Sequence, residues 1–586
     1  MSGIFAYIGK NEPSSIVANG LFALRHRGGE AYGIAFKTPD GFNEVKTEEN
    51  IAEVLSTSKF ADSNSFCAIG ETSEYVRTGS SQFAPPSTNN MYSAVCDTQA
   101  YNFLPLRRGI RSPFKIYSSE DLLLAFLCTS KQSDKIKLTL SLAESFLHSM
   151  SFAFVSSGEE SIYAASGRTP LVIGVAENGY CLSSELAPLF NMCDRYILLE
   201  TGEAAQLRSD KVLIYDSKGR RVKKSFLQMP DRVYFENDYK LSDEVFYCAL
   251  CAKEVISRFI KDGKPCFEAV KITRRAAEKT SRIILVGEGA SYNSALLCKQ
   301  QLDLMTAIDC EVYTSCEFRY SNAFVDKNTL MIAVSERGET DNTLACVCRA
   351  KTAGAKTLAV TGSNSSALYR MCDASIDTNS DFSGGVSLRW YITSALTLTL
   401  FALEVGHKTG VITDLYLSVC IKMAELLSGK ISSATKETNG IDLLSGYIKS
   451  RENVFATGIL ADFSAAREAA DKMRSIAGVN CTAADPFELM NYSRDIIKNS
   501  VILAFITSRD RIPAVEPAFC RLKTLGAKVF LFTTESVGEE LGEFDSAVVS
   551  GDTLPLFNFL PCVAGAYKAA VIAAEESEEV DSTLSA

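Results

Sequence analysis

The sequence predicts a chain that is α+β at its start and α/β beyond, and three observations carry that expectation. Short β-type runs crowd residues 1 to about 225: GIFAYIG, YGIAF, SAVCD, SFAFVSS, SIYAAS, PLVIGV, YCLSS and KVLIYD. Turn residues separate them and few strong helices intervene, which reads as a sheet-dominated α+β domain. Beyond that point strand, loop and helix alternate in RIILVGEGASYNSALLCKQQL, TLMIAVSERGETDNTLACVCRAKTAG and KTLAVTGSNSSALYRMC, the mark of a parallel sheet with crossovers. The alternation restarts at ENVFATGILADFSAAREAADKM and runs on through NSVILAFITSRDRIPAVEPAFCRLKTLGAKVFLFTT. An internal repeat of this kind predicts a duplicated domain.

The expected boundaries follow from these shifts. Residues 1–228 form the first domain, and the polar stretch 229–245 is a linker in which Ser242 would cap the next helix. Residues 246–430 and 431–586 form the two α/β units. At 586 residues the chain is too long for one core. A net charge of −10 argues against a nucleic-acid or anionic-membrane surface. No secretory signal is expected at the N-terminus, and WYITSALTLTLFALEVG, broken by hydroxyls, reads as a buried helix and not a membrane span. The 18 scattered cysteines suit a reducing cytoplasm. With one CxxC (Cys248, Cys251) and only His26, His148 and His407, core packing is expected there, with no metal and no cofactor.

Two features carry chemistry. The opening MSGIFAYIG places Ser2 behind Met1, where trimming would leave a hydroxyl beside its own α-amine, a nucleophile with its base. In the α/β part, strand-to-helix loops offer Gly289 and Ser291, then Ser335, Gly338, Glu339 and Thr340, then Thr361, Gly362, Ser363 and Ser365. Open parallel sheets bind ligands at the carboxyl ends of strands, where helices begin. Each loop alone would serve as a helix cap. Three in succession read as a cradle for a phosphate ester, and without GxGxxG or a Walker lysine a small phosphorylated metabolite fits better than a nucleotide.

These residues resemble the glutamine–fructose-6-phosphate aminotransferase family. GEGASYNSA, CEFRYSNAFVDKNTLMIAVSERGETDNTL and GVSLR match its paired sugar-isomerase (SIS) domains. MSGIFAYIG, LRHRGGEAYGIAF and SGRTPLVIGV match its N-terminal class II glutamine amidotransferase domain, of the Ntn type. The resemblance implies layered antiparallel sheets followed by two tandem doubly wound SIS domains, a homodimer through the SIS domains, and a hexose phosphate or amino-sugar phosphate as ligand. In the family an N-terminal cysteine releases ammonia from glutamine, and the SIS domains use it to make glucosamine 6-phosphate from fructose 6-phosphate.

The departures fall on the chemistry. Ser2 stands at the nucleophile, and Arg27 with Gly28 keeps the family's Arg-Gly. Glu74 falls where the family clamps the glutamine carboxylate with arginine, Asp97 and Thr98 where it has an Asn-Gly oxyanion hole, and Glu120 where an Asp holds substrate. A carboxylate in an oxyanion hole repels the developing charge, where losing one donor already costs about 3–4 kcal/mol. In the sugar site Ser291, Ser335, Thr340 and Ser387 match family hydroxyls, while Glu336 replaces Gln and Arg337 replaces Ser. Arg337 can bind phosphate in two-pronged fashion, or the two residues form a surface ion pair. Glu468 and Lys472 match catalytic residues of the second SIS domain, sharing a helix face with Ser475, which replaces the proton-moving glutamate; the pair reads equally as an i,i+4 bridge. Asn491 replaces the ring-opening histidine. Neither Ser475 nor Asn491 titrates near neutral pH, so new chemistry would need another base, Lys472 or Glu488. Three readings stand: a phosphosugar-binding sensor or regulatory subunit, an enzyme of altered chemistry such as an ammonia-dependent isomerase or deglycase, and a working glutamine-dependent transaminase.

Overall fold

In the structure, a computed structural model, all residues are described except 1, 11, 29–30, 40, 49–64, 74–84, 99, 101, 168–170, 191, 230–240, 268–269, 271–273, 365, 381–386, 437–438, 452 and 585–586. Two compact units result, Met1–Phe235 and Glu236–Ala586.

In the first unit the described strands form two antiparallel sheets. One runs, in spatial order, Leu227–Gln228, Cys193–Leu199, Leu171–Ala176, Gly179–Ser183, Gly3–Gly9, Cys67–Ser73, Ala31–Thr38 and Gly41–Thr47. The other runs Arg221–Val222, Val212–Tyr215, Ala204–Leu207, Ile162–Ala165, Phe152–Ser156, Tyr92–Cys96 and Ser87–Thr88. Alternation along each strand decides the layers. Ile4, Ala6, Ile8 and Ile69 of the first sheet share a core with Val95, Val155, Ile162 and Ala164 of the second. On the outer faces, Phe5 and Tyr7 pack with the helix Pro13–Ala23, and Phe152 and Phe154 with helices Ser119–Thr129 and Lys135–Ser145. Four layers result: helix, sheet, sheet, helices.

The second unit holds two five-stranded parallel sheets. Their orders are Asp309–Thr314, Arg282–Gly287, Thr329–Val334, Lys356–Thr361, Ala374–Asp377, and Cys481–Ala483, Asn453–Thr457, Ser500–Ile506, Lys528–Thr534, Asp545–Ser550. The two orders are the same when read by succession in the chain, as duplication requires. The turn after the first strand of each half also repeats. Gly289 has φ 52° and ψ −127° before helix Ala290–Met305; Leu460 has φ 54° and ψ −126° before helix Ala461–Ser475. A Cβ on Gly287 would lie 2.8 Å from the Ser291 carbonyl carbon, and one on Gly458 2.7 Å from that of Asp462. Leu460 therefore takes a conformation that normally requires glycine.

Three details differ from the expectation. Helix Leu241–Phe259 starts inside the stretch read as a linker, so Ser242 lies in its first turn and does not precede it as a cap. The break expected at 430 and 431 falls within helix Leu427–Lys436. It also separates two sheets that share one core, because helices Arg389–Thr409 and Phe559–Leu584 bring their apolar residues into a cluster with both halves. The apolar run read as a core helix is one: Trp390 through Leu403 is buried without interruption. Cys248 and Cys251 are buried on helix Leu241–Phe259. Among the described residues no helix is long and apolar enough to cross a membrane, and no group of three or more His, Cys, Asp or Glu could hold a metal.

Candidate functional site

The strand Gly3–Gly9 begins at Ser2, whose backbone is tied down on both sides. The Ser2 N–H donates to the Asp97 carbonyl at 2.9 Å, and Arg27 Nε donates to the Ser2 carbonyl at 3.1 Å. Arg27 is buried and its guanidinium pairs with Glu185 at 3.0 Å. Asp97 is fully buried. Its Oδ1 accepts the Ser151 N–H at 2.7 Å, while its own N–H donates to the Ser151 carbonyl at 3.0 Å. The reason is local: an acid at the end of strand Tyr92–Cys96 finds a backbone donor across the ladder and spends its charge there. Thr98 Oγ1 is buried and has no partner among the described residues. Glu74 lies outside the described residues.

Beside Ser2 stands an acid the motif reading missed. Cys67, Ile69 and Glu71 face the same side of strand Cys67–Ser73, so Glu71 enters the space between the sheets, fully buried. Its Oε2 accepts the Cys96 N–H at 2.9 Å. Burial pushes this carboxyl well above the usual range and the charges of Glu120 and Asp97 add to that, while the Cys96 N–H and Ser2 hydroxyl hold it back. Glu120 is raised too, first by desolvation. Burial therefore disfavours the charged form of both acids.

The expected phosphate loops sit at the carboxyl ends of adjacent parallel strands, Arg282–Gly287 and Thr329–Val334. Ser335 Oγ and Thr340 Oγ1 are 3.1 Å apart. Gly338, at φ 64°, lets this loop pass Ser366, whose Oγ would lie 2.4 Å from a Cβ there. Ser291 Oγ accepts the indole N–H of Trp390 at 2.8 Å, and Ser387 Oγ accepts the Trp390 backbone N–H at 3.2 Å. The only tryptophan of the chain thus joins two of the expected hydroxyls, a link no spacing rule reveals. The third loop supports the second and adds little to a cradle. Thr361 Oγ1 and Gly362 N–H both donate to the Glu336 carbonyl, at 2.9 and 2.7 Å. Glu339 Oε1 accepts the Ala367 N–H at 2.8 Å, and Ser365 lies outside the described residues. Glu336 and Arg337 are half-buried and both engaged by neighbours.

On helix Ala461–Ser475, Glu468 is fully buried and meets three donors. Asn293 Nδ2 reaches Oε2 at 2.9 Å, and Tyr567 OH and Lys472 Nζ reach Oε1 at 3.0 and 3.3 Å. Asn293 also donates to Asp471 at 3.0 Å and accepts from Arg467 Nε at 3.1 Å. Ser464 donates to the Asn293 carbonyl at 2.7 Å and pairs with Tyr391 OH at 2.8 Å. Asn293, Asp471 and Tyr567 carried no signal in the sequence. Ser475, on the same helix face, is exposed: it is the last residue of the helix, beyond the buried Lys472 and Met473. Asn491 is also exposed, its Nδ2 donating to the Phe487 carbonyl at 3.3 Å, and Glu488 is exposed.

Residues 277–406 match the SIS domain family. Curated glutamine–fructose-6-phosphate aminotransferases (isomerizing) are similar over most of the chain. The protein from Clostridium acetobutylicum is 24% identical, covering 91% of this chain and 90% of its own length; that from Caldanaerobacter subterraneus is 24% identical, covering 97% of each. The C-terminal domain of the Francisella tularensis glucosamine-fructose-6-phosphate aminotransferase matches in fold, at TM-score 0.53 and 22% identity over 58% of this chain and 98% of its own. The chain thus matches the SIS domain over residues 277–406 and is similar to these aminotransferases over most of its length.

Proposed function

We propose that this relative of the glutamine–fructose-6-phosphate aminotransferases binds a hexose 6-phosphate or amino-sugar phosphate through its SIS unit, and that the family's glutaminase and isomerase chemistry has been lost. On this reading it is a cytoplasmic, homodimeric sensor or regulatory subunit, and its first unit is an Ntn-type amidotransferase-like module without catalysis. The observation that carries the reading is the hydroxyl pair Ser335 and Thr340, 3.1 Å apart beside the Ser291 loop at the ends of adjacent parallel strands. Paired hydroxyls where helices begin suit a phosphate ester.

Two observations support the loss of chemistry. Glu468 and Lys472 neutralise each other, which suits a packed brace better than a poised base, while Ser475 and Asn491 are exposed and do not titrate. Burial raises the carboxyls of Glu71 and Glu120 near Ser2 above their ordinary range, which disfavours an activated nucleophile there.

The test is a titration of purified protein with fructose 6-phosphate, glucose 6-phosphate and glucosamine 6-phosphate, followed by calorimetry and by NMR for turnover. Binding without turnover is the expected outcome, weakened at least tenfold by Ser335→Ala with Thr340→Val. Absence of any hexose-phosphate binding defeats the proposal. Glutamate released from glutamine and abolished by Ser2→Ala would restore the working transaminase, and sugar turnover with ammonium alone would make the chain an enzyme that has lost only its glutaminase.

A further inference from the structure

The two halves of the SIS unit share strand order and the turn before the first helix, so positions correspond. Ser291 lies two residues after Gly289, and Asp462 two after Leu460; Ser335 follows strand Thr329–Val334, and Thr507 follows strand Ser500–Ile506. In the first half these positions are hydroxyls. In the second, one is a carboxylate, and the other donates to it. Asp462 is buried; its Oδ1 accepts the Thr507 hydroxyl at 2.6 Å, and its Oδ2 accepts the Thr507 N–H at 3.2 Å and Arg511 Nη1 at 2.8 Å. Thr507 is braced from behind, its carbonyl accepting Asn558 Nδ2 at 3.0 Å while Asn558 Oδ1 accepts the Thr553 N–H and hydroxyl at 2.8 and 2.6 Å. Arg511 Nε is buried with no partner among the described residues, so within them the guanidinium uses part of its fork.

A backbone N–H, a hydroxyl and a guanidinium converging on one small anion is the donor set that recognises phosphate. We infer that the second half contains a second phosphate-type anion cradle, closed by the chain's own Asp462. The carboxylate stands in for the ligand, so the chain offers one open phosphosugar cradle and not two. The correspondence of positions rests on the reading of the first-half loops as a phosphate site; the donors around Asp462 do not.

Shortening Asp462 to the serine of the other half should open the cradle. The probe is inorganic phosphate, measured by equilibrium dialysis against the full chain. Asp462→Ser should bind one more phosphate per chain than the unmodified protein. Asp462→Asn fills the same space, and Asp462→Ser with Arg511→Met lacks the cation, so both should bind no more than the unmodified protein. Ser335→Ala with Thr340→Val should remove phosphate from the first half and leave the added site in Asp462→Ser intact, which separates failure of the first-half reading from failure of this one. A folded Asp462→Ser that binds no extra phosphate overturns the inference. Where that variant folds poorly in chloride, recovery of its native circular dichroism in phosphate at matched ionic strength is the expected result, and equal unfolding in both salts overturns it.

Discussion

Two buried glutamates, one in each unit, met opposite fates. Glu468 lies on a helix against another helix and receives an amide, a phenol and an ammonium. Glu71 lies between two sheets and receives the Cys96 N–H and the Ser2 hydroxyl, with the charges of Glu120 and Asp97 against it. The difference teaches that the sign of a buried acid's contribution depends on its neighbours and not on its burial. A carboxylate with donors on both oxygens is a fastener that fails when cut. One among acids survives by keeping its proton, and weakens the fold as that proton is pulled away.

Cutting the fastener should give the largest effect. Glu468→Ala leaves the Lys472 ammonium buried without its partner, and a loss of about 3–5 kcal/mol is expected in urea denaturation. A loss below 1 kcal/mol would mean that the three donors find water, and the contrast with Glu71 would collapse. The opposite sign is expected for Glu71→Gln, on the order of 1–3 kcal/mol of gain, the usual cost of an ill-matched buried polar group. Because the folded carboxyl is raised, native and unfolded chains are both protonated below about pH 4. As pH rises past that, the unfolded chain releases a proton that the native one retains, and stability falls. The gain of Glu71→Gln over the unmodified protein should therefore vanish near pH 4 and grow toward neutrality; a gain independent of pH would remove the proton from the explanation.

Glu404 is an intermediate case. Burial pushes it up to about 7, and Lys408 lowers it in part. Its partial exposure reduces the effect, so Glu404→Gln should flatten a fall of about 1–2 kcal/mol in stability between pH 4 and pH 7. The smallest change concerns the backbone and asks whether the two halves are as alike as their turns. Leu460 has φ 54° with its side chain half exposed. Leu460→Gly should stabilise the second half by about 1 kcal/mol as strain is relieved. A loss of stability on thermal unfolding would show that the exposed leucine packs against something worth more than the strain.

Much of the architecture was legible in the sequence because it is written in short-range periods. The unbroken apolar runs in GIFAYIG and SFAFVSS predict buried strands, and the repeated strand–loop–helix of RIILVGEGASYNSA and ENVFATGILADFSA predicts two parallel sheets. The hydroxyl loops and the Glu468–Lys472 pair were legible for the same reason, since each lies within one turn or loop. Hidden from the sequence were the merging of two α/β halves into one core, the bond from the Ser151 N–H to the Asp97 carboxylate, the Trp390 bond to Ser291, and the exposure of Ser475.

The sequence by itself determined which segments are strands and helices, that a unit was duplicated, and which positions carry hydroxyls and acids. Only the tertiary structure decided what those acids do. Asn293 reaches Glu468 across 175 residues and Thr507 reaches Asp462 across 45. A carboxylate's charge, proton and role are set by donors within about 3 Å, and the chain brings those together from segments whose separation in sequence carries no trace of their contact.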